Sequence, residues 1–458
     1  MGVFRPSGDA LQPVRQFSQA YEVSVYNDGL FADIAQHKWK EAFTAGCRAM
    51  ADVIADVEII SLSGTTPGLT AMDKTGEALY PAILMLDQRS HKQAREIIDT
   101  VGLAPLLEIT ANMPVAGGCS LASILWLRDN APDVFRKTHK FGHSNTYFAH
   151  WLTGKYAIDP SSASLTALYN TARNDCTWNE ALVRTFGLSL DQLPPLVPSH
   201  HSVGTVRPPL ARELGLAKEP QVLIGGNDAV LAAYSVGVTE PGQIVNVNGT
   251  CEISLVCLPK CLPSRDYNIR AHVLPDRWLT LHVMNAGGKA LEWFKGLFCS
   301  EMTDEEFYNG FVPRAIDAWL DRVAQPPSAG KRPPPEGGGA TEAGVPQGPT
   351  VTYTPFLMGS RYSLEPLKAE LLGLTQTTTR EEILAAIVRG LCQYQSNHLR
   401  DIERHLPLER TIHLTGGAVS PALIRAKRKW MRDGDYVHEE DSSVKGAALL
   451  AKLYLEHH

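Results

Sequence analysis

The 458-residue sequence has no CxxC pair, no membrane-length apolar run and no surplus of basic residues. Each absence removes a class of protein. The eight cysteines (Cys47, Cys119, Cys176, Cys251, Cys257, Cys261, Cys299 and Cys392) are scattered, and the one cluster, Cys251, Cys257 and Cys261, has a spacing that matches no zinc pattern. They read as reduced thiols of a cytosolic protein, and no metal ligands are assigned. Nothing reaches the stretch of about 18 apolar residues that a bilayer span needs. The opening MGVFRPSGDALQ lacks the apolar centre of a secretory signal. The expected location is therefore cytoplasmic, without a membrane partner. A net charge of -6 argues against nucleic acid, which needs a basic stripe. It leaves room for an anionic ligand held locally by backbone N–H groups. A Walker loop is also absent: Lys289 follows Gly287–Gly288 without the GxxxxGK[ST] frame and reads as a solvated helix residue.

What is present suits a globular enzyme. Hydrophobic residues make up 44% and charged residues 20%, enough for sizeable cores. At roughly 100–200 residues per domain the length predicts two to four domains. Short β-branched runs that end in glycine and lead into helical patterns recur at VEIISLSG (57–64), QVLIGGND (221–228) and TIHLTGG (411–417). Such alternation predicts an α/β fold with its ligand at the carboxyl ends of the strands. Helices are predicted over 120–135, stopping before Pro132, over 380–406 and over 442–458. In the second of these Ile383, Ile387, Leu391, Tyr394 and His398 share one stripe. The Pro/Gly-rich stretch 325–350 reads as a disordered surface insertion. A boundary falls near 237–243, giving domains 1–238 and 239–458.

Four segments carry candidate chemistry. In GGND, Asp228 opens a helix after two glycines; it reads either as a helix cap or as a carboxylate placed to take a proton from a substrate hydroxyl. Asn248–Gly249 between alternating apolar runs predicts a hairpin, and Thr250 follows it; the turn is either ordinary or a phosphate cradle. In GGAVSP, Ser420 and Pro421 mark a helix start, and Gly416–Gly417 would let a flat base lie against the backbone. Gly287–Gly288 precede a further helix.

Taken in order, these segments resemble the FGGY family of carbohydrate kinases, most closely its pentulose kinases. The resemblance runs from about residue 8 to the C-terminus, apart from 325–350. It is also carried by 61–90, which ends in a D-x-R signature at Asp87–Arg89, by 123–140, by LTGKYAIDPSSASLTALYN (152–170) and by FLMGSRYS (356–363). It implies two actin-like ATPase (ribonuclease H-like) domains with the active site in the cleft between them. It further implies ATP-dependent phosphorylation of a sugar or polyol hydroxyl, a ketose such as a pentulose, with ATP and Mg²⁺ as cofactors and a homodimer left open. Asp228 matches the family's catalytic base. Thr66, Pro67, Asn227, Asp87 and Arg89 fall on the sugar side. Gly249, Thr250, Gly288, Gly416, Gly417 and Ser420 fall on the nucleotide side.

Two departures stand against this pattern. The family opens with a strand and a D-x-G-T-[ST] turn that holds phosphates, and no such sequence occurs here. MGVFRPSGDALQ instead resembles the second strand of that hairpin, so the chain reads as starting about one strand late. The expectation is a strand near Val3–Phe4 without its neighbour, and a poor kinase. The alternative is a catalytically impaired relative that binds sugar or nucleotide as a regulator. The xylulokinases of that family typically carry Q-M-H-G where this chain has Thr65-Thr66-Pro67-Gly68, which offers no imidazole and makes D-xylulose doubtful as the substrate.

Overall fold

The computed structural model describes residues 1–8, 10–320, 351–365, 367–439 and 443–457. The stretch 325–350 lies outside the described residues.

The first half builds three sheets. Strands β1 (Gly2–Ser7) and β2 (Ala10–Gln16) form a hairpin. A five-stranded antiparallel sheet joins β3 (Ser24–Tyr26), β4 (Phe31–Ile34), β7 (Ala82–Leu84), β6 (Gly68–Met72) and β8 (Lys140–Gly142) in that order. The third sheet has β10 (Gln221–Asn227) at its centre, parallel to β5 (Ile59–Gly64) and antiparallel to β9 (Ser202–Thr205). Both glycine-terminated runs of 57–64 and 221–228 are thus strands, and they lie side by side. Asn227 pairs with Gly64, so the loops after the two strands emerge together.

The second half is organised on a six-stranded sheet. It contains β11 (Ile244–Asn248), β12 (Glu252–Leu258), β13 (Asn268–Ala271), β14 (Trp278–Met284), β17 (Thr411–Thr415) and β18 (Asp435–His438), ordered β13-β14-β12-β11-β17-β18. A small hairpin of β15 (Thr352–Thr354) and β16 (Glu370–Leu372) sits apart. The long helix Arg380–Glu403 is capped by the Thr379 hydroxyl, which accepts from Glu382 N at 3.2 Å. Its stripe of Ile383, Ile387, Leu391 and His398 is buried, and Tyr394 packs half-buried beside it. The helix from Ser120 stops at Asn130, and Pro132 restarts a short one, as the fixed φ of proline favours at a first helical position.

Two features bear on the sequence reading. The helix Ser443–His457 follows the second half in sequence yet packs on the helix Asp228–Ser235, on β5 and on β10. Gly446 is required there, since a Cβ would lie 2.0 Å from the Leu231 carbonyl oxygen. The strand at Val3–Phe4 is paired on one edge, where Val3 faces Arg15 and Phe4 faces Pro13 across the hairpin. Among the described residues β1 has no strand on its other edge, and β5 pairs only with β10. Both edges line one largely apolar cavity of about 1060 Å³, together with Phe17, Met50, Ile54, Ala447 and Leu455.

Candidate functional site

Asp228 sits where β10 ends. Gly225 has φ +67, and a Cβ there would meet the Leu62 carbonyl oxygen at 1.6 Å, so only glycine lets the two strands approach at this point. Beyond it, Asn227 rather than Asp228 is the cap of the helix: its Oδ1 accepts from Ala229 N and Val230 N. Asp228, freed of the main capping role, is half-buried. Its Oδ1 accepts from Ala229 N at 2.7 Å and from Asn227 Nδ2 at 2.9 Å. Its Oδ2 accepts from the hydroxyl of exposed Thr65 at 3.1 Å. One oxygen is thus fully buttressed. The other keeps acceptor capacity at the open edge, which is what a proton acceptor for an incoming hydroxyl requires. Burial pushes the Asp228 carboxyl above its ordinary range, and the charge of Arg270 is the largest opposing influence.

Thr66 and Pro67 are buried rather than exposed to a ligand. The Thr66 hydroxyl accepts from Asn227 Nδ2 and from Arg270 Nη1, both at 2.9 Å. Beneath this turn, Asp159 Oδ2 accepts from Ser161 N at 2.8 Å and from the Ser161 hydroxyl, and that hydroxyl accepts from Asn227 N at 2.9 Å. The two halves are stitched together here. Asn112 exchanges two hydrogen bonds of 2.9 Å with the backbone of Ile269, and the Ser164 hydroxyl accepts from Ala271 N at 3.0 Å.

Asp87 and Arg89 are placed differently. Both side chains are fully buried, and Arg89 donates to Asp87 Oδ2 (2.8 Å), Asp33 Oδ2 (2.8 Å) and the Tyr80 hydroxyl (3.1 Å). Asp87 Oδ2 also accepts from Ala32 N at 2.7 Å, and the guanidinium stacks over Phe31 at 4.2 Å. With their polar atoms spent on one another, the two residues tie β4 to the loop after β7.

The glycine side is built from backbone. β11 and β12 pair antiparallel around the turn Gly249–Cys251, as Asn-Gly predicts. Gly287 N donates to the Thr250 carbonyl and Gly288 N to the Gly249 carbonyl, both at 2.9 Å. Ala418 N donates to the Asn248 carbonyl at 3.1 Å. Gly249, Thr250, Gly288, Gly416 and Gly417 are therefore contiguous. A Cβ on Gly416 (φ +89) would lie 2.2 Å from the Asn248 oxygen, and one on Gly288 would lie 2.7 Å from the Gly249 oxygen. Gly417 has nothing within 4 Å, so its backbone is open to a flat ring. The Ser420 hydroxyl is committed to its helix, accepting from Leu423 N at 3.3 Å.

The two sides are linked through the 356–363 segment. Arg361 donates from Nε to Asn285 Oδ1 at 2.7 Å, just ahead of Gly287–Gly288, and its charge acts on Arg270. Sequence reading missed Arg270, Ser161, Asp159, Thr65 and Arg361. The available signal for the first was a charged residue between Ile269 and Ala271 in a short strand. Among the described residues no group of three or more His, Cys, Asp or Glu side chains gathers to hold a metal ion, and no helix is long and apolar enough to cross a membrane.

The chain has known relatives. The FGGY family of carbohydrate kinases matches in both parts, its N-terminal domain over residues 23–235 and its C-terminal domain over residues 244–426. The chain belongs to that family, whose fold is a pair of actin-like ATPase domains. Among curated relatives, the xylulose kinase of Staphylococcus xylosus is 24% identical over 98% of this chain and 87% of its own length. That of Bacillus subtilis (strain 168) is 28% identical over 73% of this chain, and the match spans only 61% of the relative. An autoinducer-2 kinase of Klebsiella pneumoniae is also 28% identical, over 54% of this chain and 46% of its own length. Two solved structures from Lactobacillus acidophilus superpose with TM-scores of 0.83: a ligand-bound xylulose kinase (17% identical, covering 98% of this chain and 86% of that one) and a gluconate kinase (18%, 98% and 85%). Equal overlap with proteins named for different substrates means that the fold does not choose the sugar.

Proposed function

We propose that this chain transfers a phosphoryl group from ATP to a hydroxyl of a sugar or polyol, with Asp228 as the general base. The observation that carries this reading is the Asp228 carboxylate itself: Oδ1 is held by Ala229 N and Asn227, and Oδ2 lies at the exposed edge beside Thr65. Phosphoryl transfer asks little covalent help of a protein and much positioning. Asp228 would accept the proton as the hydroxyl attacks. The contiguous backbone of Gly249, Thr250, Gly288, Gly416 and Gly417 would receive the nucleotide, because glycine lets a ligand approach the chain closely. ATP would bring Mg²⁺ on its phosphates, where the ion offsets charge between them. Asp87 and Arg89 serve this reading as the frame of the sugar side and not as ligands. A ketose fits the family resemblance, while Thr66–Pro67 in place of Met–His argues for a substrate other than D-xylulose.

The test is a coupled ADP-release assay on the 458-residue chain across pentuloses, hexuloses, polyols and aldonates. Sugar-dependent turnover on one class supports the reading. Nucleotide binding with no turnover on any of them would move the protein to the impaired, regulatory reading.

A further inference from the structure

Arg270 lies on β13, in the second-half sheet, and is 3% exposed. It reaches across to the first half. Nη1 donates to the Thr66 hydroxyl at 2.9 Å and to the Ser161 carbonyl at 3.4 Å, and Nη2 donates to the Thr66 carbonyl at 3.3 Å. Its Nε is buried without a hydrogen-bond partner, and among the described residues no carboxylate forms an ion pair with it. The other enclosed cations are treated differently: Arg89 is paired with Asp33 and Asp87, and Lys427 with Glu252. A buried guanidinium that meets only neutral acceptors is costly, so its retention calls for a use.

We propose that Arg270 is a positioning residue for Asp228: it locks the Thr65–Thr66 turn from the opposite half and supplies the positive charge against which the carboxylate is set. The proposal rests on Asp228 being the base. Two routes connect the residues. One is the turn itself, since Thr66 is bonded to Arg270 and Thr65 to Asp228. The other is Asn227, whose Nδ2 donates to both Thr66 and Asp228. The groups facing Arg270 are few. Asp228 and Asp159 oppose its charge, Arg361 reinforces it, and Tyr362 lies alongside. His143, ahead of the helix Ser144–Thr153, is pushed down to about 3 by burial and is neutral at ordinary pH. Burial pushes Arg270 down to about 10, so it stays cationic.

The test reads the coupling without relying on turnover. The folded Asp228 carboxyl titrates above its unfolded value, so its ionisation costs stability as pH rises between the two. Removing Arg270 should enlarge that cost. Melting temperatures of the wild type, Asp228→Asn, Arg270→Met and the double variant are compared from pH 5 to 8. At pH 8, Asp228→Asn should raise Tm by about 2–4 °C more in the Arg270→Met background than in the wild type, and this excess should shrink toward pH 5. Equal effects in both backgrounds at every pH overturn the proposal. If Arg270→Met folds only together with Asp228→Asn, the unopposed carboxylate is the cause and the proposal stands. If neither folds, Arg270→Lys decides, because it keeps the charge: the Asp228→Asn effect should match the wild type across pH, and a mismatch overturns the idea. Failure of the base reading is separate and shows as undiminished turnover in Asp228→Asn.

Discussion

The two sides of the site are made by opposite means. Around Asp228, side chains do the shaping: Asn227, Thr65, Thr66, Ser161 and Arg270 form one bonded network. Around Gly249, Gly288, Gly416 and Gly417, it is the lack of side chains that shapes the surface, and backbone N–H and C=O groups hold one another. The difference follows from the two tasks. A proton acceptor must be fixed in angle and charge, which takes directed partners. A cradle for phosphate and a flat ring must offer close approach, which takes glycine. A substitution on the first side should therefore act on chemistry, and one on the second on nucleotide binding.

The largest expected effect tests the first half of that contrast. Asp228→Asn should lower kcat on the best substrate of the panel by about 100-fold or more while leaving KM for ATP near its original value, because the substrate hydroxyl meets this side chain. A parallel rise in KM for ATP would erase the distinction between the sides. Gly416→Ala should do the reverse. With φ +89 and the Asn248 oxygen 2.2 Å from the new Cβ, the turn must distort, weakening nucleotide binding by about tenfold in a calorimetric titration. A smaller effect is expected in the pH profile. The base must be ionised, and its carboxyl is raised by burial, so kcat/KM for the sugar should fall on acidification at a pH above the ordinary carboxylate value of about 4. A limb at or below that value would show Asp228 to be better compensated than its surroundings indicate. Gly417→Ala should matter least. Its Cβ meets nothing within 4 Å, so Tm should hold and nucleotide affinity should fall only about threefold, through lost contact with the ring. Equal losses from Gly416→Ala and Gly417→Ala would mean that backbone strain is not what shapes this side.

Much of this was legible in the sequence because it is local. Glycine after a β-branched run, Asn-Gly between alternating residues and Ser-Pro at a helix start each act within a few positions, and the strands, hairpin and cap stand where those signals put them. What escaped is long-range. Arg270 and Thr66 are 204 positions apart, and no periodicity connects them. Asp87 and Arg89 fall on the sugar side by the family resemblance alone; that Asp33 and Tyr80 occupy the guanidinium is visible only in the fold. Of the two readings open for Asp228, the cap falls to Asn227, since Asn and Asp are equally good at that position and which of them turns inward is a tertiary matter. The apolar cavity between the edges of β1 and β5 belongs to the same class, because neither strand reveals from its own residues what lies beside it.

The docking of the helix Ser443–His457 has a consequence in time. The helix that carries Asp228 is complete in sequence at Ser235, but the surface that covers Leu231 begins only at Ser443. At about 5–20 residues per second, a ribosome needs roughly 10–40 s to cross that interval. Until then the face of the helix at Leu231 that Gly446 closes against is uncovered. A nascent chain halted before Ser443 should therefore bind a holdase chaperone through Val230 and Leu231, both buried in the folded protein.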